Sequence, residues 1–193
     1  MEDHIPVSSE MPEPLRPQPS GVGLIRGFLG TVKAVLLSPH TFFPGMPVEG
    51  GLLGPYFFFL LCTGLFFLVF SVVRMREVGS FEPAILLMMS VALATPFVSA
   101  ALLYLFLTKL LGTRGSYEAT FRVVCYASAV NLLAWIPIFV IGILLQFYEV
   151  YLSALGLSVV HQTSMGKALL AVIGTAFAIF LTILLGGQAI LVF

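Results

Sequence analysis

Residues 83–108, PAILLMMSVALATPFVSAALLYLFLT, lie between Glu82 and Lys109 and hold no charged side chain in 26 positions. As a helix the run would extend roughly 39 Å at 1.5 Å per residue, more than the ~30 Å of a bilayer's hydrocarbon core. Two further stretches repeat the pattern: 24 uncharged residues between Glu49 and Arg74, and 26 from residue 168 to 193. The whole chain agrees with them. Of 193 residues 59% are hydrophobic and 9% charged, with mean hydropathy +1.07. A soluble domain carries about 25% charged residues because its surface faces water. The fold class expected is an all-α integral membrane protein, its surface turned toward a lipid bilayer.

Residues 1–20 differ in kind. Five prolines (Pro6, Pro12, Pro14, Pro17, Pro19) and four acids leave too little apolar surface to offset ordering, so a disordered Pro-rich tail is expected. It lacks the basic start and apolar core of a signal peptide. Residues 21–38 place Ile25, Phe28, Leu29, Val32, Val35 and Leu36 on one helical face and Arg26 and Lys33 on another. This is the pattern of an amphipathic interfacial helix, with Arg26 and Lys33 as lipid-contacting basic residues. A helix packed against the protein's own membrane end would show the same pattern. Prolines 39, 44, 47 and 55 and glycines 45, 50, 51 and 54 then form a stiff connector.

Residues 39–193 make up the transmembrane domain. Between Arg122 and Lys167 the sequence allows a single span, 123–148, or a hairpin turning at Trp135-Ile136-Pro137. Proline opposes a continuing helix, and Trp favours the membrane boundary, so the hairpin is preferred. Five spans result, at about 53–73, 84–108, 121–136, 138–156 and 168–192. With the N-terminus cytoplasmic, Arg16, Arg26, Lys33, Lys109, Arg114, Arg122 and Lys167 fall inside and only Arg74 and Arg76 outside. That bias of seven to two places the C-terminus outside. Four spans would give six to three.

The residues carry no catalytic constellation and no cofactor or metal site. His4, His40 and His161 are isolated in sequence, Cys62 and Cys125 read as small packing residues, and no phosphate-binding or nucleophile motif is present. Zero net charge gives no basic field for nucleic acid. What remains is polar residues inside spans, which are costly in lipid. Gln146, Glu149 and Ser153 share a face of the fourth span, Asn131 lies in the third and Arg122 begins it. Arg122, Asn131, Gln146 and Glu149 form a candidate intramembrane network, either lining a path or holding helices together. Across the hairpin, Arg122 and Glu149 are expected to pair.

The order of blocks resembles the Yip domain family, small five-span membrane proteins named for interaction with Ypt/Rab GTPases. The resemblance runs from the helix ending in Ser38-Pro39-x-x-Phe42-Phe43, through Gly54-Pro55-Tyr56, to YEATFRVVCYASAVNLLAWIP (117–137) and YEVYLSALGLSVVHQTSMGKALLAV (148–172). The last two blocks are closest to the bacterial branch. The resemblance implies a non-enzymatic scaffold or adaptor in membrane organisation or trafficking, acting through a membrane-protein partner or homo-oligomer. A small transporter or channel subunit is the alternative. Leu52-Leu53 stand before Gly54-Pro55 where the eukaryotic pattern has an acid, and Cys125 replaces a glycine before Tyr126. Both departures argue against a Rab-type GTPase partner and for a bacterial-type member in the cytoplasmic (inner) membrane.

Overall fold

The computed structural model describes residues 21–78, 83–134, 136 and 138–191, with side chains over 25–76, 85–134, 136 and 138–182. The tail 1–20, Glu82, Trp135, Pro137 and Phe193 lie outside the described residues. Among the described residues there are seven α-helices: α1 Gly21–Leu37, α2 Pro39–Gly45, α3 Leu53–Val78, α4 Pro83–Leu105, α5 Tyr117–Ala127, α6 Phe139–Val160 and α7 Met165–Leu191. A wider π turn, Phe106–Leu110, extends α4, and a tighter 3-10 turn, Ser128–Leu132, extends α5. Four helices are long and apolar enough to cross a membrane: Leu53–Arg76, Ile85–Leu110, Phe139–Val160 and Met165–Thr182. The chain is thus an all-helical integral membrane protein with four candidate spans. The stretch expected as the third of five spans, 121–136, does not stand among them, because its helical part, residues 117–132, is too short.

Local chemistry sets the boundaries. Pro39 stops α1 and opens α2, the helix position where its missing N–H costs nothing. Ser116 caps α5, its Oγ accepting from the Ala119 N–H at 3.1 Å, so this helix begins at Tyr117 rather than 121. Past Leu132 the chain breaks, and α6 does not begin until Phe139. That break excludes one continuous span over 123–148.

Three contacts fix how α5 and its neighbours run. Thr120 meets His161 at 2.8 Å, and Val123 packs against Gly156. Helices α5 and α6 are therefore antiparallel, residue for residue, as a hairpin requires. Thr113, just past the end of α4, also meets His161 at 3.1 Å. Helices α4 and α6 thus finish at the same end of the bundle, and α5 with its 3-10 turn carries the chain back between them. That helix is the core of the bundle: Phe121, Val123, Cys125 and Ala127 are buried against α3, α4 and α6. By contrast α3 turns Phe57, Leu61, Leu65 and Leu68 outward, each at least half exposed. Apolar surface of this kind belongs against lipid.

Helix α1 packs on the bundle through Phe28, Val32, Val35 and Leu36. The Phe28 ring lies 5.3 Å from that of Phe58, and the Tyr148 hydroxyl donates to the Leu36 carbonyl at 2.5 Å. Tyr148 is about twelve residues, roughly 18 Å, from the C-terminal end of α6. The helix therefore lies along the flank of the bundle rather than across its end. Ile25, Leu29, Arg26 and Lys33 stay exposed.

Candidate functional site: a mid-bundle cavity

Five elements leave a cavity of about 370 Å³ between them. Helix α3 contributes Phe59 to Phe67, α4 Ala92 to Leu103, α5 and its 3-10 turn Val124 to Asn131, α6 Gln146 to Ser153, and α7 Val172 to Ile179. In the four long helices the polar lining residues, Thr63 to Thr175, stand about six or more residues, at least roughly 9 Å, from either end. The walls are mostly apolar, and the polar groups lie at mid-depth. Thr95, Gln146 and Ala176 at the rim are exposed, so the cavity opens sideways.

Helical register explains who arrives there. Gln146, Glu149 and Ser153 project from one face of α6 at i, i+3 and i+7. The α5–α6 register set by Thr120–His161 and Val123–Gly156 continues to bring Asn131 level with about residue 149. Asn131, Gln146 and Glu149 do line this one cavity. The Asn131 amide donates to Thr63 Oγ1 at 3.3 Å, and Ser128 donates to the Cys125 carbonyl at 2.7 Å. Thr175 is different. Serines and threonines on these helices commonly donate to the carbonyl four residues back, as Ser71, Ser90, Thr95 and Thr108 do. The Thr175 Oγ1 is buried and makes no hydrogen bond. Pro96, also in the lining, has no N–H to give the Ala92 carbonyl. Among the described residues Glu149 and Gln146 likewise have no hydrogen-bond or ion-pair partner.

Arg122 does not join this group. The same register sets it level with about residue 158, some nine residues and roughly 13 Å of helix rise from Glu149. Its Nη2 donates to Glu118 Oε1 at 3.1 Å and to the Gly51 carbonyl at 2.8 Å. Glu118 in turn accepts the Gly51 N–H at 2.6 Å. One ion pair thereby fastens the 46–52 loop to α5. The loop fits because Gly50 and Gly51 take φ of +120° and +88°, a region that favours glycine. A Cβ on Gly50 would stand 3.1 Å from Arg122 Nη2.

The sequence pointed to Asn131, Gln146 and Glu149 as a network, and the structure places all three in the lining of one cavity with no hydrogen bond between them. It pointed to Arg122 as their partner, and the structure gives Arg122 to Glu118. Glu118 was legible as an i, i+4 neighbour of Arg122; Thr63 and Thr175, single hydroxyls in apolar runs, carried no distinguishing pattern. At the same end His161 is buried, its ring between Thr113 and Thr120 and the backbone of Gly115 packed against it. Burial lowers its pKa below the ordinary 6.5. Among the described residues no three His, Cys, Asp or Glu gather as metal ligands.

A model of the Yip1 domain family matches residues 33–187. No curated protein and no solved structure gives a significant match.

Proposed function

Because the chain belongs to the Yip1 domain family, we propose that it is a non-enzymatic membrane scaffold or adaptor, working through contacts with a membrane-protein partner or a second copy of itself. The observation that carries this is the dead end of the cavity: its polar lining reaches neither end of the four long helices. A transporter or channel subunit needs a polar route toward both faces, and this interior is plugged by the buried α5. Purified protein in liposomes should pass no more ion flux than empty liposomes. Crosslinking in native membranes should capture a protein partner or a dimer. Flux above the empty control would overturn the scaffold.

In this reading α5 and its 3-10 turn are the third of five crossings. The common end of α4 and α6 supports it, since the chain must return between two helices running the same way. The N-terminus and Lys109, Arg114 and Lys167 then face the cytoplasm of a bacterial cell, and Phe193 lies outside. Arg26 and Lys33 reach headgroups along their apolar stems, from a helix wedged into the leaflet. A cytoplasm-only reporter fused after Phe193 should stay silent, and an outside-only reporter should work.

A further inference from the structure

We propose that the mid-bundle cavity is a binding site for a lipophilic amine: a small cationic head bearing hydrogen-bond donors, on an apolar body. The proposal stands on the cavity alone and does not depend on the scaffold reading.

The lining has spare acceptors, one of them a carboxyl group. Among the described residues the Glu149 and Gln146 side chains have no partner, and Asn131 gives one of its two amide N–H groups to Thr63, its carbonyl oxygen being free to accept. The Ala92 carbonyl lacks the donor that Pro96 cannot supply. The Thr175 hydroxyl, about nine-tenths buried or more, points its unpaired oxygen into the same wall. Groups like these cost free energy when left unpaired away from water. Among the described residues no Lys, Arg or His lines the cavity.

Those facts discriminate between ligand classes. An anionic head would face the Glu149 carboxylate with no counter-charge beside it. A purely apolar occupant, such as a lipid tail, would leave the polar groups as unpaired as before. A primary ammonium has three donors and no acceptor, which matches one carboxylate and neighbouring amide and hydroxyl oxygens. The remaining walls, with Phe59, Phe66, Phe67 and Leu103 among them, suit an alkyl or aromatic body. The sideways opening at Thr95, Gln146 and Ala176 lets such a molecule enter from the bilayer, where it concentrates by partition. About 370 Å³ lies within the range of ligand pockets.

The test uses the full chain in lipid nanodiscs with three probes of equal tail length: decylamine, decanol and decanoate. Bound probe is counted by native mass spectrometry and supported by the shift in thermal unfolding. The expected result is one decylamine per chain, bound at least about tenfold more tightly than decanol or decanoate. Glu149→Gln should weaken decylamine roughly ten- to a hundredfold, the range for a hydrogen bond to a charged group. Ala92→Phe, which fills the cavity and leaves Glu149 in place, should weaken it similarly. Equal binding of all three probes means simple partition into an apolar gap and overturns the proposal. So does undiminished decylamine binding in folded Glu149→Gln, or in Ala92→Phe if the first variant does not fold.

Discussion

The end of the bundle where α5 begins and the middle of the same bundle treat polar groups in opposite ways. At the end, Arg122 Nη2, Glu118 and the Gly51 backbone pair within 3.1 Å, as do Thr113, Thr120 and His161, and only the Arg122 Nε among these groups is buried without a partner. In the middle, the Glu149, Gln146 and Thr175 side chains face a cavity without partners among the described residues. The end has the chemistry of a structural lock, where every group removed leaves another stranded. The middle has the chemistry of a site, where groups wait for something. One test separates them: removing a polar group should cost stability at the end and very little in the middle.

The largest effect should come from Glu118. Arg122 is buried, with only 5% of its side chain exposed, and Glu118 is the acid paired with it. Glu118→Leu strands a buried guanidinium and should destabilise the protein by about 3 kcal/mol in detergent unfolding. Arg122→Met in the same chain should recover most of that loss, because no charge is then left alone. A double-mutant cycle between Arg122 and Glu118 should show strong coupling, whereas one between Arg122 and Glu149 should be additive within about 0.5 kcal/mol. Coupling to Glu149 as large as that to Glu118 would erase the division between end and middle.

Gly156 tests the same end by packing. An added Cβ would stand 2.6 Å from Val123 Cγ1 and 2.8 Å from Phe43 Cε1. Gly156→Ala should therefore cost about 1–3 kcal/mol, the range for overpacking. Val123→Ala should relieve part of it by vacating the nearest atom. If the alanine is neutral, α2, α5 and α6 are not held as closely as their contacts indicate.

How much of this was legible beforehand follows from which forces leave a trace in sequence. Long apolar runs must be helices in lipid, so α3, α4 and α7 were visible from charge-free length alone. The helix α6 was visible from its apolar run, and a break in the helix ahead of it was expected from the proline at 137. Which face of α6 carries Glu149 followed from 3.6-residue periodicity, and so did its grouping with Gln146. The partner of Arg122 did not follow, because pairing depends on depth along two helices. Sequence spacing gives no depth until a contact such as Thr120–His161 sets the register. The flank position of α1 was hidden for the same reason: Phe28 and Val32 look alike whether they meet Phe58 or acyl chains.

A smaller effect should be seen with pH. His161 is held neutral by burial, its pKa lowered from 6.5, beside a pocket that also contains Arg114 and Lys167. The folded protein then binds fewer protons here than the unfolded chain. The contribution is fully present above the unfolded value near 6.5 and is lost as pH falls below it toward the lowered folded value. Stability should decline on acidification from pH 7.5 to 5.5, and His161→Gln should flatten that part of the profile. A decline unchanged in the variant would assign it to other groups.

The smallest effect should belong to Glu149, the residue that composition alone marks as most costly. It is an acid on the apolar helix α6, half-buried and without a partner among the described residues. If it were part of the lock, Glu149→Gln would strand a neighbour, and the loss would resemble that at Glu118. In the structure there is no neighbour to strand. Arg122 sits roughly 13 Å away along the hairpin, and Asn131 donates to Thr63 rather than to Glu149. Glutamine keeps the shape and the acceptor while removing the cost of a charge in an apolar wall. Unfolding in detergent should shift by no more than about 0.5 kcal/mol, in either direction. A loss of 2 kcal/mol or more would make Glu149 a structural member of the bundle. The contrast between a paired end and an expectant middle would then fail at its central residue.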